Sequence, residues 1–453
     1  MSARHQPRIE EFVSTNQTAG AVQAALPPGT PPAPETMAEL GVGQAILEDL
    51  ALKILLLNGS LSLTDLTARI RLPFVIVNEL LRRLRAEFLC EVTGIKGNVP
   101  QIAISSKGRS RALELMLLNQ YVGPAPVSLD KYIKQVQLQS VRDTEVYPPQ
   151  VERAFSHLVL EPRTLKKLGA ALNSGSSIFL YGPSGTGKTS LATAIPRAFE
   201  RDRVWIPYAV EINGQIIVIH DPRVHRPLDF PDAHLTDARW VLCQRPMVSV
   251  GGELTLDMLD LQLNPIAKFY TAPLQMKANN GVLIIDDFGR QRMRPEELLN
   301  RWVVPLDRRI DFLSLAGGQQ IEIPFEMFVV FATNLSPASL VDAAFLRRIQ
   351  TKIEVGAVSE AQFHEIFRWV CDEFSVEYRA AIVDELIAVI RKLNEPLRAC
   401  HPRDIVNQMR WAARYERRRP VLDHDEVMSA VEAYFVADNQ NGIPRSAPEA
   451  RSG

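Results

Sequence analysis

The chain has 453 residues, with 51 Lys plus Arg against 52 Asp plus Glu, a formal charge of −1. Hydrophobic residues at 46% and charged residues at 23% are ordinary globular proportions, which excludes a wholly disordered, collagen-like or overall polybasic protein. Such a length accommodates about two to four domains, each able to bury its own core. Cys90, Cys243, Cys371 and Cys400 lie far apart without a C-x-x-C pair, so neither a zinc site nor a disulfide framework is expected. The N-terminus lacks the apolar core of a signal peptide, and no apolar run approaches about 18 residues. A soluble cytoplasmic protein is the expectation, with no membrane partner.

In chain order, residues 1–37 are polar and then rich in Ala and Pro, a composition expected to stay disordered. Residues 38–120 read as a compact unit. AILEDLALKILLLNG has helical apolar spacing and ends on Asn58-Gly59; SLTDLTARIRLP is a short helix stopped by Pro73; FVIVNELLRRLRAEFL is strongly amphipathic. CEVTG and PQIAISS alternate as a β-hairpin would, and KGRSRALELMLLNQ returns to helix. Three helices, a hairpin and a closing helix are the order of a winged helix. Residues 121–145 read as a linker. Residues 146–355 then alternate buried apolar strands (SIFLYG, VWIPYAVEI, QIIVIHD, GVLIIDD, FEMFVVFATN) with helices, which argues for an α/β parallel sheet carrying an insertion near 200–281. Residues 356–437 are helical again, and 438–453 form a second polar tail.

Gly182-Pro183-Ser184-Gly185-Thr186-Gly187-Lys188-Thr189 is a complete G-x-x-x-x-G-K-[ST] loop, preceded by the strand SIFLY and followed by a helix opening at Thr189-Ser190. Its glycines let backbone N–H groups converge on a phosphate at a helix N-terminus. Lys188 is expected to reach the β- and γ-phosphates of ATP, and the Thr189 hydroxyl to ligate Mg2+. Downstream, VLIIDDF is a buried strand ending in two carboxylates, the Walker B arrangement. Asp286 is the expected Mg2+ partner and Asp287 the expected activator of the attacking water.

These residues together resemble the AAA+ ATPase family of P-loop NTPases, over about 145–436. The resemblance implies a parallel sheet with a C-terminal helical lid. It also implies that Asn334, ending FEMFVVFATN, is the polar sensor of the γ-phosphate. In DAAFLRRI it makes Arg348 the arginine finger, with Arg347 beside it, and in HPRDIVNQMRW it makes Arg403 the cis arginine of the lid. VERAFSHLVL would flank the adenine. A finger works in a neighbour's site, so the resemblance implies a homo-oligomeric ring, expected to be a hexamer.

Two features depart from the family pattern. Asp287 stands where the family usually has Glu, and a side chain one methylene shorter points to slow hydrolysis or to a role as a structural or magnesium-shell residue. The stretch 200–281 is long, with a hairpin VWIPYAVEINGQIIVIHD turning at Asn213-Gly214. Ala278, Gly281 and the strand from Val282 resemble the approach seen in the MoxR-like and magnesium-chelatase-like branches. Gly251-Gly252 and the run after it are either a substrate-facing loop on the ring axis or a decoration packed on the sheet edge. Arg290, Arg292, Arg294, Arg301, Arg308 and Arg309 make the stretch after the carboxylates rich in arginine.

Residues 41–120 carry ten Lys/Arg against seven Asp/Glu, net +3, a small excess for a nucleic-acid binder. The third helix bears Asn78, Arg82, Arg83 and Arg85 but begins FVIV, where a DNA-reading helix usually places polar groups. The sequence thus favours an ATP-hydrolysing, chaperone-like remodeller of a protein client. The alternatives are a DNA-binding regulator or DNA motor using residues 38–120, and a nucleotide-dependent scaffold that hydrolyses slowly.

Overall fold

The computed structural model describes residues 29–96, 99–230, 235–337 and 346–435. The first domain comprises α1 (Gln44–Asn58), β1 (Leu61–Ser62), α2 (Leu63–Ile70), α3 (Phe74–Ala86), β2 (Cys90–Lys96), β3 (Val99–Ile104) and α4 (Ser106–Leu118). The three strands form one antiparallel sheet in the order β1-β3-β2. Ser62 and Ser105 cap α2 and α4 by accepting the N–H groups of Asp65 and Gly108, each over 3.0 Å, which satisfies donors that a helix start otherwise leaves open. Leu47, Leu50, Leu66, Ile76, Leu80 and Leu84 bury the facing sides of the helices.

The segment expected to link the domains is instead folded. β4 (Val127–Ser128) and α5 (Leu129–Leu138) bury Val127, Tyr132 and Val136 in the core of the insertion. The physical reason is the apolar i, i+4 spacing of Tyr132 and Val136. The end of the expected tail is also held: Gly29 accepts from the Gln135 side chain over 2.7 Å, and Pro32 bridges to Thr236. Residues 1–28 and 436–453 lie outside the described residues.

Next come α6 (Pro148–Ala154), α7 (Pro162–Asn173), β5 (Ser177–Tyr181) and α8 (Lys188–Ala194), then the insertion strands β6 (Arg203–Pro207), β7 (Ala209–Ile212), β8 (Gln215–Val218) and β9 (Trp240–Gln244). They are followed by β10 (Met247–Val250), β11 (Gln262–Leu263), β12 (Tyr270–Thr271), α9 (Leu274–Ala278), β13 (Val282–Ile285), α10 (Pro295–Arg308), β14 (Ile310–Ser314), β15 (Gln320–Pro324), β16 (Phe328–Thr333) and β17 (Thr351–Glu354). The central sheet runs β10-β13-β16-β5-β17, five strands, all parallel. Its three central strands, β13, β16 and β5, are almost wholly buried because both faces are covered: Ile178, Leu180, Ile284 and Val330 face one layer, and Phe179, Leu283, Ile285 and Phe331 the other. Two expected members of this sheet lie elsewhere. VWIPYAVEI splits into β6, which pairs with β9, and β7, which pairs with β8 through the Asn213-Gly214 turn, where both residues have positive φ (49° and 83°).

The first domain is fastened to the insertion. Arg239 is wholly buried; its Nε and Nη2 donate to Asp237 (2.9 and 2.7 Å), and its Nη1 to the carbonyls of Leu40 (3.2 Å) and Pro126 (3.0 Å). Tyr121 meets Phe269 edge to face, and Arg71 lies over the Tyr208 ring. The lid comprises α11 (Glu360–Phe374), α12 (Ala380–Lys392), α13 (His401–Tyr415) and α14 (His424–Tyr434), around Phe363, Phe367, Leu386, Ile405 and Val427. It opens with a capping box between Ser359 and Gln362. Among the described residues, no helix is long and apolar enough to cross a membrane.

Candidate functional site

Three strands deliver their following residues to one edge of the sheet. The loop 182–187 follows β5, Asp286 and Asp287 follow β13, and Asn334 follows β16, so all emerge at carboxyl ends, where open α/β sheets bind ligands. Gly182 and Gly185 have φ of 144° and 78°. A Cβ on Gly182 would stand 2.2 Å from the Val355 carbonyl oxygen, and one on Gly185 would stand 2.6 Å from Cys400 Sγ, so neither position accommodates a side chain. Pro183 and Ser184 are exposed at the loop tip, and the Thr186 hydroxyl donates to the Pro183 carbonyl over 2.9 Å. After Gly187, α8 begins with Lys188, Thr189 and Ser190, its N-terminus facing the loop.

Four polar residues form a connected run. The Thr189 hydroxyl donates to Asp286 Oδ2 (2.8 Å), Asp286 Oδ1 accepts from the Asp287 backbone N–H (2.9 Å), and the Asn334 side-chain amide donates to Asp287 Oδ1 (3.4 Å). Asp287 holds this place with a left-handed backbone, φ 47°. Gln291 pins the turn: its amide donates to the carbonyls of Asp286 (3.0 Å) and Asp287 (3.1 Å), and its Oε1 accepts from Gly289 N–H. No sequence motif announced Gln291. Lys188 Nζ donates to the Pro183 carbonyl over 2.6 Å. Burial lowers its pKa, while the charges of Asp286 and Asp287 pull the other way. A cradle open only to glycine, a lysine and a helix N-terminus suit a polyphosphate, and the paired oxygens of Thr189 and Asp286 suit a hard divalent cation such as Mg2+. No group of three or more His, Cys, Asp or Glu able to hold a metal exists among the described residues.

Arg347 and Arg348 lie away from this run, and Arg403 lies on the lid. Arg348 Nε donates to Asp307 Oδ2 (2.7 Å), and Arg347, Arg348, Asp307, Ser176 and Gln350 line a pocket of about 430 Å³. Ser176 and Gln350 precede the parallel strands β5 and β17, so this pocket is at the edge of the sheet opposite the phosphate loop. Residues 342–345 of the same motif lie outside the described residues. Arg403 makes a two-point contact with Glu373 on α11 (3.0 and 2.6 Å), which turns it onto the lid's own surface. The lid group that does meet the phosphate loop is Cys400, whose N–H donates to the Gly185 carbonyl (3.0 Å), with Arg398 alongside. Of the arginine-rich block, Arg301 pairs with Asp311, and Arg309 donates to the Gly175 carbonyl (3.2 Å). Past Gly251-Gly252, Leu254 and Leu259 are buried in one cluster with Val248 and Val250, while Leu256, Leu263 and Ile266 are exposed. Leu158 and Leu160, in the segment expected at the adenine, are half-buried in the connection between α6 and α7.

Residues 178–357 match the model of the ATPase family associated with various cellular activities (AAA), and residues 359–433 match a domain of unknown function, DUF8689. No curated protein matches the chain. Among solved structures, the RuvB Holliday junction branch migration motor of Thermotoga maritima is 17% identical, with a TM-score of 0.34, covering 68% of this chain and 71% of its own. A lysine-to-arginine mutant of the same protein is 18% identical, with a TM-score of 0.35 and the same coverage. The α/β domain has the AAA+ P-loop fold and is followed by a helical C-terminal region.

Proposed function

We propose that this AAA ATPase domain binds ATP with Mg2+, hydrolyses it, and uses the turnover to remodel a protein partner. The observation that carries the reading is the hydrogen-bonded run Thr189, Asp286, Asp287 and Asn334 beside Lys188. The amides of 182–190 cradle the phosphates, and Lys188 leaves the Pro183 carbonyl to meet them. Thr189 and Asp286 would hold Mg2+, which would neutralise charge on the bound phosphates. Asp287 accepts a proton from water oriented by the Asn334 amide. Arg403 exchanges Glu373 for nucleotide when the lid tightens.

Arg348, with Arg347 beside it, acts on a neighbouring subunit's nucleotide, because the far edge of the sheet is out of reach of its own phosphate loop. This makes the working unit a homo-oligomeric ring, a hexamer in the family pattern. The insertion, with Ala278 leading into β13, fits the MoxR-like branch.

The first domain, read as a winged helix, takes a protein client. The first turn of α3 exposes Phe74 (55%) and Val75 (68%), where base readout calls for polar groups. DNA is the second reading, favoured by the exposed Asn78, Arg82, Arg83 and Arg85 on the same helix.

The test is ATPase turnover of the full chain against Lys188→Ala and Asp286→Ala. Loss in both variants supports hydrolysis at this site. Turnover insensitive to both would sink it and leave a scaffold. Turnover stimulated by duplex DNA, with capture by an Asp287→Asn trap of DNA rather than protein, would favour the second reading.

A further inference from the structure

We propose that the outer end of α13 is a binding surface for single-stranded nucleic acid. Along this helix Ile405, Val406, Met409 and Ala413 are buried in the lid, so core packing is already satisfied on the opposite side. Trp411 and Tyr415 are nevertheless 59% and 89% exposed. Four residues apart, they stand next to each other on one face and offer two adjacent ring surfaces. Around them Arg414, Arg417 and Arg419 are exposed, and among the described residues none of the three is paired with a carboxylate. Arg418, between them, is the one committed internally, to Glu416 and Glu426.

The negative end of a helix attracts cations, which accounts for basic residues near Tyr415 but not for two exposed aromatic rings. A single strand supplies the complementary chemistry: bases to stack on Trp411 and Tyr415, and phosphates to meet the arginines. A duplex hides its base faces. The surface is separate from the nucleotide site yet joined to it, since α13 starts at the Cys400–Gly185 hydrogen bond and its 15 residues span about 22 Å. A rigid helix therefore carries lid displacement from the phosphate loop to this surface.

The experiment is fluorescence anisotropy of the full chain with labelled single-stranded thymidine and uridine oligomers, a DNA duplex of equal length, and poly-glutamate as competitor. Saturable binding of a single strand is expected, weakening as salt rises, with the duplex about tenfold weaker. Trp411→Ala and Tyr415→Ala should each weaken it about tenfold, and Arg414→Ala with Arg417→Ala should flatten the salt dependence. Absence of saturable binding, equal affinity for the duplex, or unchanged affinity in Trp411→Ala would each overturn the proposal. So would a change of oligomeric size in Trp411→Ala, which would make this face a contact between proteins.

Discussion

The backbone N–H of Cys400 donates to the carbonyl of Gly185 over 3.0 Å, so the lid is hydrogen-bonded to the loop proposed to hold the phosphates. Cys400 Sγ fills the space that a Gly185 side chain would need. Gly185→Ala therefore strains a φ of 78° and pushes the lid away at once. Titration with a fluorescent ATP analogue should show at least about tenfold weaker binding, a loss of roughly 1.4 kcal/mol. Cys400→Ala keeps the N–H and should bind as the parent does; equal affinity for all three proteins would refute the coupling.

Asp287 is tested by Asp287→Asn, because Asn tolerates the left-handed backbone that this position demands. The amide cannot accept a proton from water, so turnover should fall by about 10²-fold or more while ATP affinity is kept. Single-turnover hydrolysis and equilibrium binding, measured on the same preparation, separate the two. Full turnover in the variant would make Asp287 a structural residue.

Arg348 is expected to serve a different subunit from its own. Arg348→Ala should retain ATP binding and lose turnover on the order of 10³-fold. Mixing it with Lys188→Ala should restore part of the activity, since Lys188→Ala subunits carry an intact Arg348 and the other subunits an intact phosphate loop. Mixtures no more active than their components would rule out action in trans.

The Arg239–Asp237 pair is a stability site rather than a chemical one. Asp237→Ala leaves a buried guanidinium without its counter-charge, at a cost of about 3–5 kcal/mol. Urea denaturation should show the loss, and limited proteolysis should open the chain near residues 120–126 first. A change below about 1 kcal/mol would mean that water reaches the guanidinium.

Acid should loosen the fold through two buried histidines. His225 Nδ1 accepts the Asp221 N–H, so the neutral ring carries its proton on Nε2 and donates to the Lys277 carbonyl; burial drops its pKa from 6.5 to about 4. His401, buried in the lid, is likewise lowered to about 4, first by burial and then by Arg398. The unfolded chain takes up these protons below its own pKa while the folded chain refuses them. Stability is thus full above pH 6.5 and is lost as pH falls towards about 4, by on the order of 3 kcal/mol for His225. Urea midpoints between pH 7.5 and 5 should drop, and His225→Gln should flatten the slope; an unchanged slope would discount His225.

The phosphate loop and the carboxylate pair were legible because each is contiguous, with strand and turn supplying the geometry from adjacent residues. β10 was not, being four residues long with Met247 and Ser249 exposed. α5 was read as linker because the glycine and prolines before it outweighed its apolar spacing. Arg403 shows the limit for side chains: its direction is set by Glu373, thirty residues earlier on another helix. Arg239 draws its partners from three separated segments, which no local pattern reveals.

Gly182 lies against Val355, where the last strand of the sheet hands the chain to the lid. The first residue of the phosphate loop and the segment leading into the lid thus share one contact too tight for a methyl group. Any side chain at Gly182 would therefore act on the sheet-to-lid junction as much as on the loop itself.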